Sequence, residues 1–271
     1  MSEIVQFTSS AALADAIDAN LIEKSLSFPH FFGGEIHEPN PLWFVTGPTM
    51  PSNNGVVSAH FSASVVDAEI KALVKIFRAQ KRSLTWWVGP RTVPSNLGQS
   101  LQHYGFTHNR DMIGMAMDLQ DMEIPEAAQT MDFEPVQDRK TLRQWYEVVL
   151  ECFPATYSQK YLDALAAISL RPGAEWLHYV GRVQGEILTA SSLYLGGGVA
   201  GLYNLGTVVK ARRRGLGAAT TILSFAAARE RGYRVGTLQT TYPNALRMYH
   251  HLGFEVYCKI GIYRYQPEGK G

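Results

Sequence analysis

Several features that would point to particular classes of protein are scarce or missing in this sequence. Its 271 residues contain only two cysteines, Cys152 and Cys258, which are too few for a disulfide framework or a zinc site. Two free thiols suit a reducing compartment. The chain does not begin with a basic segment followed by an apolar one, and no apolar run approaches the roughly 18 residues that cross a membrane. We therefore expect a cytoplasmic protein with no signal peptide and no transmembrane helix.

A surplus of charge of either sign is also missing. Lys and Arg number 25 against 24 Asp and Glu, which gives a formal net charge of +1. Nucleic-acid binding usually needs surplus basic residues clustered on one face, and the basic run at residues 212–214 is short. No spacing of His, Cys or carboxylate residues indicates a metal site. We expect no nucleic-acid partner, no membrane partner and no metal.

The length of the chain and the pattern of polar residues indicate two domains. A chain of 271 residues is comfortable for two hydrophobic cores. Residues 120–126 are polar and interrupted by Pro125, so we predict a boundary there, with domains at 1–130 and 131–271. Residues 29–41, which contain three prolines and two glycines, are predicted to be a connector.

A short internal sequence repeat supports this division. Residues 94–106 and 243–254 each follow an apolar strand, and each segment ends in His-x-Gly-Phe, 148 residues apart. A predicted helix precedes each strand, at residues 66–77 and at residues 216–231. The repeated order of helix, strand, helix and strand predicts two similar lobes.

The strongest chemical signal lies between a predicted strand and the helix that begins near residue 216. Gly215 and Gly217 leave the backbone open to a ligand, and the first N–H groups of a helix have no partner within it. With the helix dipole they form an anion site suited to a pyrophosphate, to which Arg212 and Arg214 could add charge-assisted contacts. The alternative is an ordinary turn with basic surface residues. The pattern is neither a P-loop, which needs Gly-Lys-Ser/Thr, nor a dinucleotide fingerprint, which needs a third glycine.

The C-terminal half resembles the GNAT superfamily of N-acetyltransferases. The acyl-CoA loop of that family has the pattern Arg/Gln-x-x-Gly-x-Gly/Ala, and here it is Arg212-x-x-Gly215-x-Gly217. The second landmark is a strand followed by Asn-Ala, Tyr and Gly-Phe, which correspond here to Asn244-Ala245, Tyr249 and Gly253-Phe254. The resemblance covers residues 131–271. It implies an α/β (α+β) fold of two GNAT-like lobes, each a mixed, mostly antiparallel sheet flanked by helices.

The resemblance also implies which residues bind acyl-CoA. The pantetheine arm is expected to pair with the backbone of Leu205, Gly206 and Thr207, and Asn244 is expected to help hold it. The pyrophosphate is expected at the loop and helix start, formed by Arg212, Arg214, Gly215, Leu216, Gly217 and Ala218. Tyr249 matches the general acid that protonates the leaving thiolate, a role that needs an O–H near the sulfur. The alternative for Tyr249 is a core aromatic residue on a short helix.

One part of the family pattern is missing. Many members carry a glutamate on the strand before the loop as the general base, but residues 202–206 and 239–241 contain no carboxylate. A water relay, a residue from elsewhere or an amine that arrives neutral could replace it. The first half resembles a degenerate copy, because it lacks the Arg-x-x-Gly-x-Gly pattern and has Leu101 at the position of Tyr249. We therefore expect that the first half does not bind acyl-CoA.

These features predict an enzyme, an acyl-CoA-dependent N-acetyltransferase. Acetyl-CoA would be the cosubstrate, and a primary amine would attack its thioester directly, without a covalent intermediate. Two alternatives stay open, a catalytically silent acyl-CoA-binding regulatory module and a transferase for a longer acyl group. The sequence does not fix whether the acceptor is a small-molecule amine or a peptide amine, and a homodimer stays open.

Overall fold

The computed structural model describes residues 4–6, 9–38, 40–47, 53–125, 128, 130–153 and 158–267. The chain divides into two compact units, and neither unit is a continuous stretch of chain. We call Met1–Asn20 with Met115–Val256 the downstream unit, and Leu21–Gly114 with Tyr257–Gly271 the upstream unit. Each unit therefore takes a terminal segment from the opposite end of the chain.

The described residues form seven α-helices and eleven β-strands. The helices are α1 (Ser10–Leu26), α2 (Val66–Ala79), α3 (Leu97–His103), α4 (Arg139–Cys152), α5 (Gln159–Ser169), α6 (Leu216–Glu230) and α7 (Pro243–His251). The strands are β1 (Glu35–His37), β2 (Leu42–Val45), β3 (Gly55–Ser58), β4 (Leu84–Val88), β5 (Thr107–Asp118), β6 (Asp132–Pro135), β7 (Trp176–Val183), β8 (Glu186–Gly196), β9 (Val199–Thr207), β10 (Val235–Thr240) and β11 (Glu255–Tyr265). Short 3-10 turns lie at Pro29–Phe32 and Val209–Ala211.

The sheet of the downstream unit changes from antiparallel to parallel at one step. Strands β6, β7, β8 and β9 pair antiparallel in that order, and β9 then pairs parallel with β10. The parallel step needs a crossover, which α6 supplies. Trp145 of α4 and Phe225 of α6 are both fully buried, so both helices pack into the core of this unit.

The sheet of the upstream unit has the same kind of step. Strands β1, β2 and β3 pair antiparallel, β3 pairs parallel with β4, and β4 pairs antiparallel with β11. Helix α2 forms the crossover and buries Ile70, Leu73 and Phe77 along one face, at the spacing of an amphipathic helix. These side chains share one apolar cluster with Trp86 of β4 and Tyr265 of β11.

The ends of α3 and α7 are alike down to single hydrogen bonds. The N–H of Phe106 donates to the carbonyl of Leu101 at 3.1 Å, and the N–H of Phe254 donates to the carbonyl of Tyr249 at 3.0 Å. Each turn contains a glycine in the left-handed region that favours this residue, Gly105 (φ 87°) and Gly253 (φ 92°). Leu101 and Tyr249 therefore occupy matching buried positions in the two units.

The predicted fold class is confirmed, because the sheets are mixed, mostly antiparallel and flanked by helices. The predicted connector at residues 29–41 is wrong in part, because Glu35–His37 forms β1 and pairs with β2. Gly34 permits this close approach, since a Cβ there would lie 2.1 Å from the carbonyl oxygen of Val45. The boundary after residue 130 stays a prediction; the compact units are cut after Asn20, Gly114 and Val256.

Candidate active site

Strands β9 and β10 are paired over only part of their length. The paired residues of β9 are Ala200, Gly201 and Leu202, whereas β9 continues to Thr207 with β8 on its other side. The edge of residues 203–207 that would face β10 therefore has no partner in that strand. An unpaired strand edge is a site where an extended ligand can add as a further strand. Leu205, Gly206 and Thr207, which the sequence predicts to bind pantetheine, lie in this segment.

A β-bulge marks the place where β9 leaves β10. Between the pairs Ala190–Gly206 and Ser192–Tyr203, one residue of β8 faces two residues of β9. Asn204 lies in the bulge with a φ of 50°, which is uncommon for a residue other than glycine, and its Nδ2 donates to Ser192 Oγ at 3.2 Å. A bulge bends a strand and increases its twist, which accounts for the opening between β9 and β10.

The start of α6 presents backbone N–H groups beside small residues. Gly215 precedes the helix in the left-handed region, with a φ of 77°, and its carbonyl accepts from the N–H of Ala219 at 3.0 Å. The N–H groups of Leu216, Gly217 and Ala218 precede that first helical bond and have no acceptor within the helix. This arrangement can bind an anion.

Gly217 lies where three of the predicted site segments meet. A Cβ added to it would meet Thr207 Oγ1 at 3.6 Å and Met248 Sδ at 3.8 Å, which is ordinary van der Waals contact. The start of α6, the end of β9 and α7 therefore adjoin one another here. The fold itself has room for a small side chain at 217, so packing within the protein does not require glycine at this position.

The arginines of the loop differ in their surroundings. Arg212 Nε donates to the carbonyl of Thr207 at 3.0 Å, which ties the loop to the end of β9. Arg214 is exposed. The N–H of Val209 donates to Glu151 Oε1 at 2.6 Å and so joins the same loop to α4. Of the two predicted arginines, Arg212 has a structural bond and Arg214 extends into solvent.

Tyr249 is buried on α7 and its hydroxyl is not used by the fold. Its ring packs edge-on against Phe254, with 5.8 Å between the ring centroids, and 7% of the residue is exposed. Burial raises the pKa of Tyr249 to about 12, so the hydroxyl keeps its proton at neutral pH. The hydroxyl makes no hydrogen bond to the described residues, which leaves it able to donate to a ligand. Asn244 lies exposed at the start of the same helix, where its Oδ1 accepts from Arg247.

Asn20 of α1 anchors the strand that carries the opening, and sequence reasoning missed it. Its Nδ2 donates to the carbonyls of Gly196 at 2.8 Å and Tyr194 at 3.1 Å, and its Oδ1 accepts from the hydroxyl of Tyr203 at 2.7 Å. A Cβ on Gly201 would lie 2.1 Å from Asn20 Oδ1, so glycine is required there. A glycine within a strand is the one sequence signal of such a close approach.

His178 is held as a neutral side chain beneath the bulge. It is buried, its Nδ1 lies 2.8 Å from Ser192 Oγ, and its ring lies 4.2 Å from that of Trp145. Burial lowers the pKa of His178 to about 3. Asn204 Nδ2 and His178 Nδ1 both lie within hydrogen-bonding distance of Ser192 Oγ. The three side chains thus form a neutral support for the bulge, and His178 is too weakly basic to accept a proton from an amine.

The equivalent strand edge in the upstream unit is already occupied. The N–H of Phe61 donates to the carbonyl of Val93 at 2.8 Å, and the N–H of Val93 donates to the carbonyl of Ala59 at 2.9 Å. Ala59 and Phe61 follow the end of β3 and lie four and six residues after Gly55, the first residue of β3 that pairs with β4. Residues 204 and 206 lie equally far after Ala200, the first residue of β9 that pairs with β10. The chain therefore fills, with its own backbone, the edge that is open in the downstream unit.

Comparison with known proteins agrees with this geometry. Residues 142–254 match the sequence model of the Acetyltransferase (GNAT) family. The chain carries a GNAT-family domain. The predicted family and enzyme class are thereby confirmed: members of the GNAT family transfer an acyl group from acyl-CoA, typically acetyl-CoA, to an amine. The match includes Tyr249 and every other predicted site residue.

Solved structures of GNAT proteins share the fold at low sequence identity. A GCN5-related N-acetyltransferase from Kribbella flavida has a TM-score of 0.75 at 18% identity, over 94% of this chain and 96% of that one. One from Sphaerobacter thermophilus has a TM-score of 0.62 at 17% identity, over 86% and 76%. A tandem GNAT protein from the clavulanic acid biosynthesis pathway has a TM-score of 0.60 at 13% identity, over 88% and 80%. No curated protein sequence matches the chain.

Among the described residues, no group of three or more His, Cys, Asp or Glu side chains is arranged to hold a metal ion. None of the helices in the described part of the chain has the length and apolar content needed to cross a membrane.

Proposed function

We propose that the chain transfers an acetyl group from acetyl-CoA to a primary amine, and that the reaction takes place in the opening between β9 and β10. The observation that carries this proposal is the junction at Gly217, where the start of α6, the end of β9 and α7 adjoin. One anion-binding helix start, one unpaired strand edge and one unused phenol hydroxyl suit the three parts of an acyl-CoA: pyrophosphate, pantetheine and sulfur.

The residues proposed to hold acyl-CoA are those named from the sequence. The backbone of Leu205, Gly206 and Thr207 would pair with the amides of pantetheine, since that edge of β9 is open. The N–H groups of Leu216, Gly217 and Ala218 would bind the pyrophosphate. Arg214 is placed to add charge. Arg212 would act mainly by fixing the loop to Thr207. Asn244, which is exposed at the start of α7, would help hold the pantetheine arm.

Tyr249 is proposed as the general acid. In the reaction, the amine nitrogen forms a bond to the thioester carbonyl carbon, the carbon–sulfur bond breaks, and the sulfur leaves with the bonding electrons. The phenol proton of Tyr249 would pass to that thiolate. The ammonium proton of the adduct would pass to water, because residues 202–206 and 239–241 contain no carboxylate and His178 has a lowered pKa. An acceptor amine that arrives neutral fits this arrangement.

We also propose that the two halves, residues 1–130 and 131–271, are tandem copies of one unit and that one acyl-CoA binds per chain. The matching turns at the ends of α3 and α7 support the duplication. Two observations support a silent upstream unit: Val93 occupies its strand edge, and Leu101, which has no hydroxyl, stands at the position of Tyr249.

The test is the substitution Tyr249→Phe, with Tyr242→Phe as its control. Both changes remove one hydroxyl, but Tyr242 is 59% exposed just before α7, whereas Tyr249 is buried. With acetyl-CoA and an amine found by an unbiased acceptor screen, Tyr249→Phe should lower kcat on the order of 10²-fold and leave acetyl-CoA binding nearly unchanged. Tyr242→Phe should have wild-type kcat. Equal kcat in both variants would show that Tyr249 only packs, and it would favour a silent acyl-CoA-binding module.

A further inference from the structure

A groove in the upstream unit is lined by basic side chains, and we define it here as the basic groove. It has a volume of about 520 Å³, within the range of small-molecule sites. Lys71, Lys75 and Arg78 line it from one face of α2, and His103 lines it from the end of α3. The rest of its lining consists of Val74, Tyr104, Gly105, Tyr265 and Gln266.

The two lysines of the basic groove have no acidic partner among the described residues. Within that part of the chain no carboxylate lines the groove, and neither Lys71 nor Lys75 forms an ion pair. Elsewhere exposed cations do pair, as in Arg139 with Asp163 at 2.8 Å. Because the chain as a whole carries a formal charge of only +1, this surplus is local.

The fold does not require these cations. Arg78 lies in the last turn of α2, where the helix dipole favours a positive charge, but Lys71 and Lys75 lie in the middle of the helix and gain nothing from it. Like charges four residues apart on a helix repel each other. Ile222 and Gly253 of the downstream unit lie 148 residues after Val74 and Gly105 of the basic groove. The groove at Ile222 and Gly253 is lined by acidic residues instead, Asp118, Asp121, Glu123 and Glu255. The same fold therefore carries opposite charge in the same place.

Two of the cations are held in position by tyrosines. Arg78 Nε donates to the hydroxyl of Tyr265 at 3.1 Å, and Tyr265 is buried. Lys71 Nζ lies 5.3 Å from the centre of the Tyr104 ring. Side chains held in this way lose less freedom when they bind a ligand, which is the condition for a preformed site.

We infer that the basic groove binds a small phosphorylated molecule, smaller than coenzyme A, that carries at least two negative charges. Converging lysine and arginine donors suit phosphate oxygens, and His103 at the rim adds a further donor. The inference concerns the upstream unit alone and does not rest on acyl transfer in the downstream unit.

The test uses inorganic pyrophosphate as the probe, and isothermal titration calorimetry measures its binding. All proteins carry Gly217→Glu, so that the helix start of α6 cannot bind the probe. The double variant Lys71→Ala/Lys75→Ala is compared with Lys140→Ala/Arg143→Ala, which removes the same charge from exposed positions of α4. We expect saturable binding that weakens on the order of tenfold in the first variant and is unchanged in the second.

Three results would overturn the inference. They are the absence of saturable binding, equal weakening in both double variants, and equal affinity in the Lys71→Ala/Lys75→Ala protein and its parent. A single-stranded oligonucleotide without terminal phosphates serves as a second probe. If it binds the groove more tightly than pyrophosphate at equal phosphate concentration, the groove is a nucleic-acid surface and the small-molecule assignment is wrong.

Discussion

The contact between Asn20 and Gly201 can be tested by a double-mutant cycle. Asn20→Ala would remove the hydrogen bonds to the hydroxyl of Tyr203 and to the carbonyls of Tyr194 and Gly196. Each intramolecular hydrogen bond contributes about 0.5–1.5 kcal/mol, so the loss of three should lower the free energy of unfolding by about 3 kcal/mol. Gly201→Ala would place a Cβ 2.1 Å from Asn20 Oδ1, and such overpacking costs about 1–3 kcal/mol.

The two costs should add only in part, because Asn20→Ala removes the atom that lies nearest to the new Cβ, Asn20 Oδ1, while Tyr203 Cε2 stays 2.9 Å from it. The double variant should therefore be at least about 1 kcal/mol more stable than the sum of the single effects predicts. Urea unfolding followed by tryptophan fluorescence and by circular dichroism measures the cycle. Asn109→Ala, an exposed position on β5, is the control and should change little. Costs that add to within about 0.3–0.5 kcal/mol would refute the packing of α1 against β9.

Two further predictions concern pH. Burial lowers the pKa of His178 from 6.5 to about 3, so the unfolded chain binds more protons than the folded chain between these values. The free energy of unfolding should therefore fall as pH drops from 6.5 toward 3, by about 1.4 kcal/mol per pH unit from this group. His178→Gln should reduce the difference in the free energy of unfolding between pH 7 and pH 5, measured by urea titration. Burial raises the pKa of Tyr249 to about 12, so its hydroxyl should stay protonated at pH 10. Wild-type kcat should therefore not fall near pH 10. A fall near pH 10 that is absent from Tyr249→Phe would mean that the pKa of this tyrosine is unperturbed.

Local signals in the sequence indicate the loop of the candidate site, and the resemblance to the GNAT superfamily indicates the other residues, whose roles stay predictions. The loop ending at Gly217 and the helix after it follow from glycines, arginines and apolar spacing within a few residues of one another. The predicted strand at residues 235–240 coincides with β10, because it is apolar and bounded by turn residues. The resemblance indicates Tyr249 through the Tyr and Gly-Phe landmark, and the turn at Gly253 and Phe254 is present.

The contacts that shape the site were beyond the reach of those signals. The bond from Tyr203 to Asn20 joins residues 183 positions apart, and no local pattern encodes it. The pairing of Val93 with Ala59 and Phe61, which closes the upstream edge, depends on how a loop folds back rather than on its composition. The pairing of β4 with β11, by which the last strand joins the upstream unit, likewise connects residues that are far apart in the sequence.

The central claim is that acetyl-CoA binds once per chain, at the start of α6. Isothermal titration calorimetry with acetyl-CoA tests it on wild type, Gly217→Glu and Ala68→Glu, the last of which adds the same charge to the first turn of α2. A Cβ at position 217 makes only ordinary van der Waals contacts, so the backbone there accepts a side chain, but a carboxylate facing the pyrophosphate costs several kcal/mol. We predict one equivalent bound to wild type and to Ala68→Glu, and affinity lower on the order of 10²-fold or more in Gly217→Glu. Unchanged affinity in Gly217→Glu, or two equivalents per chain, would contradict the account.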